Sequence, residues 1–177
     1  MTATRAMGWR PWAVLLTAAV VLYAGLSWRN RDVNRIRRRL ERLRVSFNKA
    51  PDESALASLR RAQEIAGAFT ENPSVRLGPY LPDLFNRQDL AVAIHHARTT
   101  LDEIHTSIRD KTIVVAADRQ SATTDLAVEG TYVYRDDWDR QVTEFRLEWA
   151  RQNGEWMIQG VEPLEVIKPP RRVREGQ

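Results

Sequence analysis

Three histidines are the only side chains in this 177-residue chain whose ordinary pKa falls near neutrality. Two are adjacent, His95 and His96, and His105 follows in the same apolar-periodic segment. A zinc ion held on one helix needs imidazoles a turn apart, at i and i+4, so that both reach it. Sequence neighbours cannot do this from a regular helix. The chemistry left to them is general acid–base work at the edge of a pocket, for which His96 and His105 are the candidates, since helical spacing from Leu90 turns His95 away from the apolar stripe. With no cysteine, a thiol nucleophile, a Cys-ligated zinc site and a disulfide framework are all excluded. Neither a metal nor a cofactor is expected.

Arginine is the other chemically suggestive residue. Residues 28 to 47, "WRNRDVNRIRRRLERLRVSF", hold eight arginines, and a guanidinium fork is suited to phosphate. Residues 1 to 49 hold 11 basic and 2 acidic side chains, a net +9, whereas residues 50 to 177 carry a net −5. A nucleic-acid footprint spread over the globular part is therefore not expected. Within the basic stretch Val33, Ile36, Leu40, Leu43 and Phe47 recur at spacings of 3 and 4, which predicts one buried helical stripe. Arg35, Arg38, Arg39 and Arg42 fall on the opposite arc, as the solvated back of a core helix. The alternative for Arg29, Arg31 and Arg35, nearest the preceding apolar run, is contact with lipid phosphate.

That run, Pro11 to Trp28, is 18 residues without a charge, and would span ~27 Å as a helix, close to a bilayer's hydrocarbon thickness. Trp9, Trp12, Tyr23 and Trp28 lie near its ends, where aromatic rings favour the headgroup zone. An uncleaved single-pass anchor is expected, with a cleavable signal peptide as the competing reading. Orientation is divided. The arginines after the run favour a cytoplasmic domain, while a short basic N-terminus before it is the ordinary signal-anchor arrangement; the domain is expected outside the cytoplasm.

The elements that would position any site follow. Asp52 is placed as a helix N-cap, and the helix after it carries the stripe Leu56, Leu59, Ala62, Ala66 and Phe69. A short strand around Val75 to Leu77 leads to a Pro-rich apolar loop with Tyr80, Leu81, Leu84 and Phe85. A third helix opens at Asn86, its inner face formed by Leu90, Ile94, Ala97, Leu101 and Ile104. From Lys111 the period changes to that of antiparallel strands. Asn153-Gly154 predicts a type I′ hairpin turn, pairing Gln152 with Glu155, Arg151 with Trp156, Trp149 with Ile158 and Glu148 with Gln159. The inward set is then Phe145, Leu147, Trp149, Trp156 and Ile158, with Leu126, Val128, Ile113 and Val115.

Three helices with a short strand between the second and third, then a sheet ending in "EFRLEWARQNGEWMIQGVEPLEV", resemble the nuclear transport factor 2-like superfamily, which includes the SnoaL-like proteins. The phrase "AGAFTENPSVRLGPYLPDLFNRQDLAVAIHHAR" is similar to its membrane-anchored bacterial members. The resemblance spans roughly residues 32 to 167 and implies an α+β fold, three helices packed on a curved antiparallel sheet. It also implies a cone that can hold a small apolar ligand and, in the enzymes, an inward Asp or His. No inward carboxylate is found here, so the chain is read as non-enzymatic. Tyr80, Trp149, Arg151, Trp156 and His96 are the candidate pocket residues, with Asp83 as a further residue of the mouth.

The expected organisation is an anchor over residues 1–29, a domain over 30–168 and a basic disordered tail over 169–177. The expected location is a bacterial inner membrane. Three functions stand open: a tethered assembly module whose inner face is filled and which contacts a protein partner or a second copy, a small-molecule pocket with or without acid–base chemistry, and an anionic-lipid sensor built on the arginines.

Overall fold

A computed structural model of the chain describes residues 30–76, 83–135 and 137–168. The apolar run at residues 11–28, Arg29, Tyr80 and the tail from residue 169 lie outside them. Among the described residues no helix is long and apolar enough to cross a membrane.

Helix α1 covers residues 30–47. Its stripe forms as the spacing predicts: Ile36, Leu40 and Leu43 are buried, and Val33 and Phe47 pack against the same core. Helix α2, Ala55–Ala66, is capped by Ser54, whose hydroxyl accepts from the Ala57 amide at 3.3 Å, not by Asp52. Its buried face is Ser58, Ala62, Ile65 and Ala66, and Leu56 and Leu59 stay exposed. Two overlapping arcs share Ala62 and Ala66, and apolar spacing alone chose the wrong one because Ser58 is not counted as apolar.

Strand β1, Phe69–Val75, begins earlier than expected. Asn72-Pro73 makes "FTENPSV" read as a turn, but a proline is tolerated on an edge strand, where its missing N–H breaks no ladder on the open side. Val75 and Leu84 exchange backbone hydrogen bonds of 2.9 Å, which fixes the return of the loop, while Phe85 remains exposed. Helix α3, Arg87–Thr100, is capped as predicted by Asn86, which accepts from the Asp89 amide at 2.7 Å. It stops at Thr100. Leu101 is already extended, and Ile104 and His105 belong to strand β2, Glu103–Val115, which starts well before Lys111. Leu90 and Arg98 are the buried residues of α3, whereas Ala97 is exposed.

Strands β3 (Ser121–Tyr134), β4 (Asp137–Gln152) and β5 (Glu155–Lys168) complete a five-stranded sheet in the order β1-β5-β4-β3-β2. Four strands form an antiparallel meander, but β1 pairs with β5 in parallel, so the sheet is mixed where an antiparallel one was expected. Register shifts interrupt β2 between Arg109 and Thr112 and the β4–β5 ladder at three places. Such bulges bend and twist long strands, and here they curl the sheet over the helices.

Asn153 (φ 50°) and Gly154 (φ 82°) supply the two positive angles of the predicted turn. The expected pairs Gln152–Glu155, Arg151–Trp156 and Trp149–Ile158 hold, Ala150 faces Met157 between them, and a bulge then sets Glu148 opposite Gly160 instead of Gln159. No atom lies within 4 Å of a Cβ built on Gly154, so strain alone opposes a side chain there. Gly154→Val is expected to lower stability by about 1 kcal/mol or more, read as a shifted denaturation midpoint. Among the described residues Gly154 is the one glycine with positive φ; a Cβ on Gly160 would come within 2.9 Å of the Glu148 carboxylate, the end of an exposed side chain that can swing aside, so Gly160→Ala should be milder.

Candidate functional site

The helices and the concave sheet face enclose a cavity of about 280 Å³ with an entirely apolar wall. Leu40, Leu43 and Phe47 of α1 and Leu90 and Ile94 of α3 line it on the helical side. Leu126 and Val128 of β3 and Phe145 and Leu147 of β4 line it from the sheet, with Ile108, Ile158 and Val161 beside them. Most of the sheet residues belong to the inward set read from alternation; Ile108 and Val161 do not, because each lies past a register shift that the spacing does not show.

Arg44 and Thr106 are the polar residues at its border, and both are turned to other partners. Arg44 pairs with Glu41 at 2.7 Å. The Thr106 amide donates to Asn48 Oδ1 at 2.8 Å, and its hydroxyl lies 2.8 Å from the same oxygen. Along the same sheet face, alternation places Thr143, Gln141 and Asp139 beyond Phe145, and Tyr132 beyond Val128. Tyr132 donates to Asp139 at 3.1 Å, and burial, together with that hydrogen bond and the carboxylate's charge, pushes its pKa up to about 12. It is a donor at neutral pH, not a base. It lies four positions along β3 from Val128, roughly 13 Å at strand rise, and is not among the residues that line the cavity.

A second polar cluster, which sequence reasoning missed, lies where α1 meets β5, outside the cavity lining. Asp32 on α1 is 1% exposed and accepts from Arg119 Nε at 2.9 Å and from the Trp156 indole at 3.4 Å. Burial alone would raise its pKa, but the hydrogen bonds from Arg119 and Trp156 and the charges of Arg119 and Arg151 outweigh it, holding Asp32 below the ordinary carboxylate value. An ionised, doubly bonded carboxylate is a poor proton donor. Trp149 donates to the fully buried Thr124 hydroxyl at 3.0 Å, and the Arg151 guanidinium lies 6.0 Å from the Trp156 ring centre.

The candidate pocket residues are therefore dispersed. Trp149, Arg151 and Trp156 gather at the Asp32 cluster, and none of them lines the cavity. His96 and His105 are exposed, on α3 and β2, while His95, expected to face away, is half-buried because the stripe runs through Leu90, Ile94 and Arg98. Asp83 is exposed beside the Val75–Leu84 bridge. Arg31 and Arg35 are exposed on the first turns of α1, Arg35 at 4.0 Å from Asp32. Among the described residues no group of three His, Cys, Asp or Glu side chains is placed to hold a metal ion.

No protein-family model matches the sequence, and no similar sequence was found among curated proteins. Solved structures share the fold. A nuclear transport factor 2-like protein with a cystatin-like fold from Novosphingobium aromaticivorans superimposes with a TM-score of 0.60 at 17% identity, over 80% of this chain and 86% of that one. A second protein of the same organism, provisionally named a scytalone dehydratase, gives 0.61 at 10% identity, over 82% and 95%. A protein of Kribbella flavida gives 0.65 at 13%, over 78% and 93%. At these identities the likeness is one of fold, and the chain has the nuclear transport factor 2-like, SnoaL-like α+β fold.

Proposed function

We propose that this domain binds a small, largely apolar molecule in the cavity between its helices and sheet, without acid–base chemistry, and that residues 11–28 hold it at a membrane. The wholly apolar cavity is the observation that carries the reading. An assembly module with a filled interior has no use for it, since an apolar recess of this size leaves its lining side chains without packing partners on one side. Its volume lies near the lower end of small-molecule sites, ~300–1,000 Å³, and apolar voids of this kind take up aromatic or aliphatic guests. Tyr132 and Asp139 lie outside the cavity lining, Asp32 is committed to its arginine, and His96 and His105 face solvent; none is positioned to exchange a proton with a guest. The membrane part of the reading is supported by the uncharged run at residues 11–28 and the aromatic residues at its ends.

The test uses N-phenyl-1-naphthylamine, a neutral probe that fluoresces in apolar surroundings. The full chain is expected to give a saturable, one-to-one signal that Val128→Trp removes by filling the cavity, with the cooperative thermal transition retained. A signal that survives Val128→Trp, or no saturable signal in the wild type, would show the proposal to be wrong.

A further inference from the structure

The solvent face of α1 is not evenly bathed in water. Arg35, Arg38, Arg39 and Arg42 line one wall of a groove of about 390 Å³ whose other wall is the β4–β5 turn, with Gly154, Glu155 and Trp156. Four guanidinium groups thus face a single carboxylate. Glu155 is already taken: Arg39 holds it at 3.1 Å and is itself pinned against Met157 Sδ at 3.2 Å. Arg35 reaches only Asp32, at 4.0 Å, a carboxylate that Arg119 already holds. Arg38 and Arg42 have no hydrogen-bond or ion-pair partner among the described residues.

Arg35, Arg38 and Arg42 sit at i, i+3 and i+7 and so share one face of the helix. Like charges at this spacing repel, and Glu41, the one acid among them in the chain, is held by Arg44 at 2.7 Å. The turn opposite is a tight two-residue hairpin closed by the Gln152–Glu155 pair, so both walls of the groove belong to regular elements of the fold. Guanidinium forks converging on one volume suit a group with several charged oxygens in bidentate contact, which is the chemistry of phosphate. The net −5 of residues 50–177 leaves no extended basic surface for a nucleic acid to follow.

We propose that this groove is a binding site for a phosphate-bearing anion. Two sources present that chemistry: a soluble phosphate ester, and the headgroup of an anionic lipid. The second fits the position of the groove, since the apolar run ends at Trp28 in the sequence and Arg35 lies five residues into α1, ~7.5 Å along the helix from residue 30. The site does not depend on the cavity and stands if no apolar guest is found there.

Two arms of one experiment separate the sources. In the first, the full chain in neutral detergent is titrated with pyrophosphate by calorimetry at low salt. In the second, it is placed in phosphatidylcholine nanodiscs with or without phosphatidic acid, and amide hydrogen exchange is followed across residues 35–42 and 152–156. The double variant Arg38→Gln, Arg42→Gln is compared with Arg37→Gln, Arg60→Gln, which removes the same charge from exposed positions outside the groove. Loss of roughly 30-fold in pyrophosphate affinity, from about 1 kcal/mol per charge, in the first double variant alone supports a soluble ligand. Protection that requires phosphatidic acid and vanishes only in that variant supports a headgroup. Absence of binding in both arms, or equal losses in the two double variants, overturns the site.

Discussion

Arg98→Ala is expected to destabilise the fold by about 3–5 kcal/mol, the usual consequence of removing one partner from a buried ion pair. Arg98 is 1% exposed and donates to both carboxylate oxygens of Glu53, at 2.6 and 2.8 Å. It also donates to the Ser46, Phe47 and Asn48 carbonyls, at 3.1, 2.9 and 3.1 Å. The last carbonyls of α1 have no partner within the helix, and Arg98 of α3 supplies one from across the interface. The variant strands Glu53 and three carbonyls together. Arg98→Lys should recover little, because a single ammonium cannot reproduce the fork. Glu53→Gln should cost much less than either, since Arg98 keeps its carbonyls. Chemical denaturation of the three variants checks the order; a loss below about 1 kcal/mol for Arg98→Ala would mean that water replaces the arginine at α1's end.

Neither Arg98 nor Asp32 was legible in the sequence, and for the same reason. Each is a charged residue within an otherwise polar-looking arc, and its partner stands 45 or 87 residues away in the chain. Periodicity sees only neighbours. It served well for α1, where five apolar residues at 3 and 4 spacing outweigh every other pattern, and for the β4–β5 hairpin, where Asn153-Gly154 sets the register. It failed at the end of α3, because Leu101 and Ile104 continue a helical spacing while belonging to the next strand, and at β1, where Pro73 reads as a turn and marks an edge. The inward faces of β3 and β4 were readable. The cavity between them and the helices was not, since its volume depends on how far three register shifts bend the β4–β5 ladder, and alternation is blind to curvature. Arg35, Arg38 and Arg42 of α1 were correctly placed on the exposed side, but Arg39 is only 16% exposed, because the wall that covers it comes from a turn more than 110 residues further along the chain.

Arg119→Ala is expected to cost about 3 kcal/mol at neutral pH, more than Asp32→Asn, although the two residues form one pair. The asymmetry comes from burial. Asp32 is 1% exposed and Arg119 is 35% exposed, so an Arg119 that loses this carboxylate keeps access to water, whereas an Asp32 that loses its arginine does not. The figure stays at the low end for a broken buried pair because Arg35, at 4.0 Å, and the Trp156 indole remain. The pH dependence has opposite signs in the two proteins. In the wild type the Asp32 pKa is held below its ordinary value of 3.8, so its contribution is fully present above about pH 4 and is lost as pH falls through the folded value. In Arg119→Ala the main opposing influences are gone while burial remains, which raises the carboxyl pKa. Protonation then relieves a buried charge, and that variant gains relative stability on acidification. The difference in unfolding free energy between the wild type and Arg119→Ala should therefore shrink as pH falls toward 4, and in an Asp32→Asn background, which lacks the titrating group, the cost of Arg119→Ala should no longer vary with pH over this range. A gap that stays constant with pH would mean that Arg119 acts through its packing and not through the charge it sets beside Asp32.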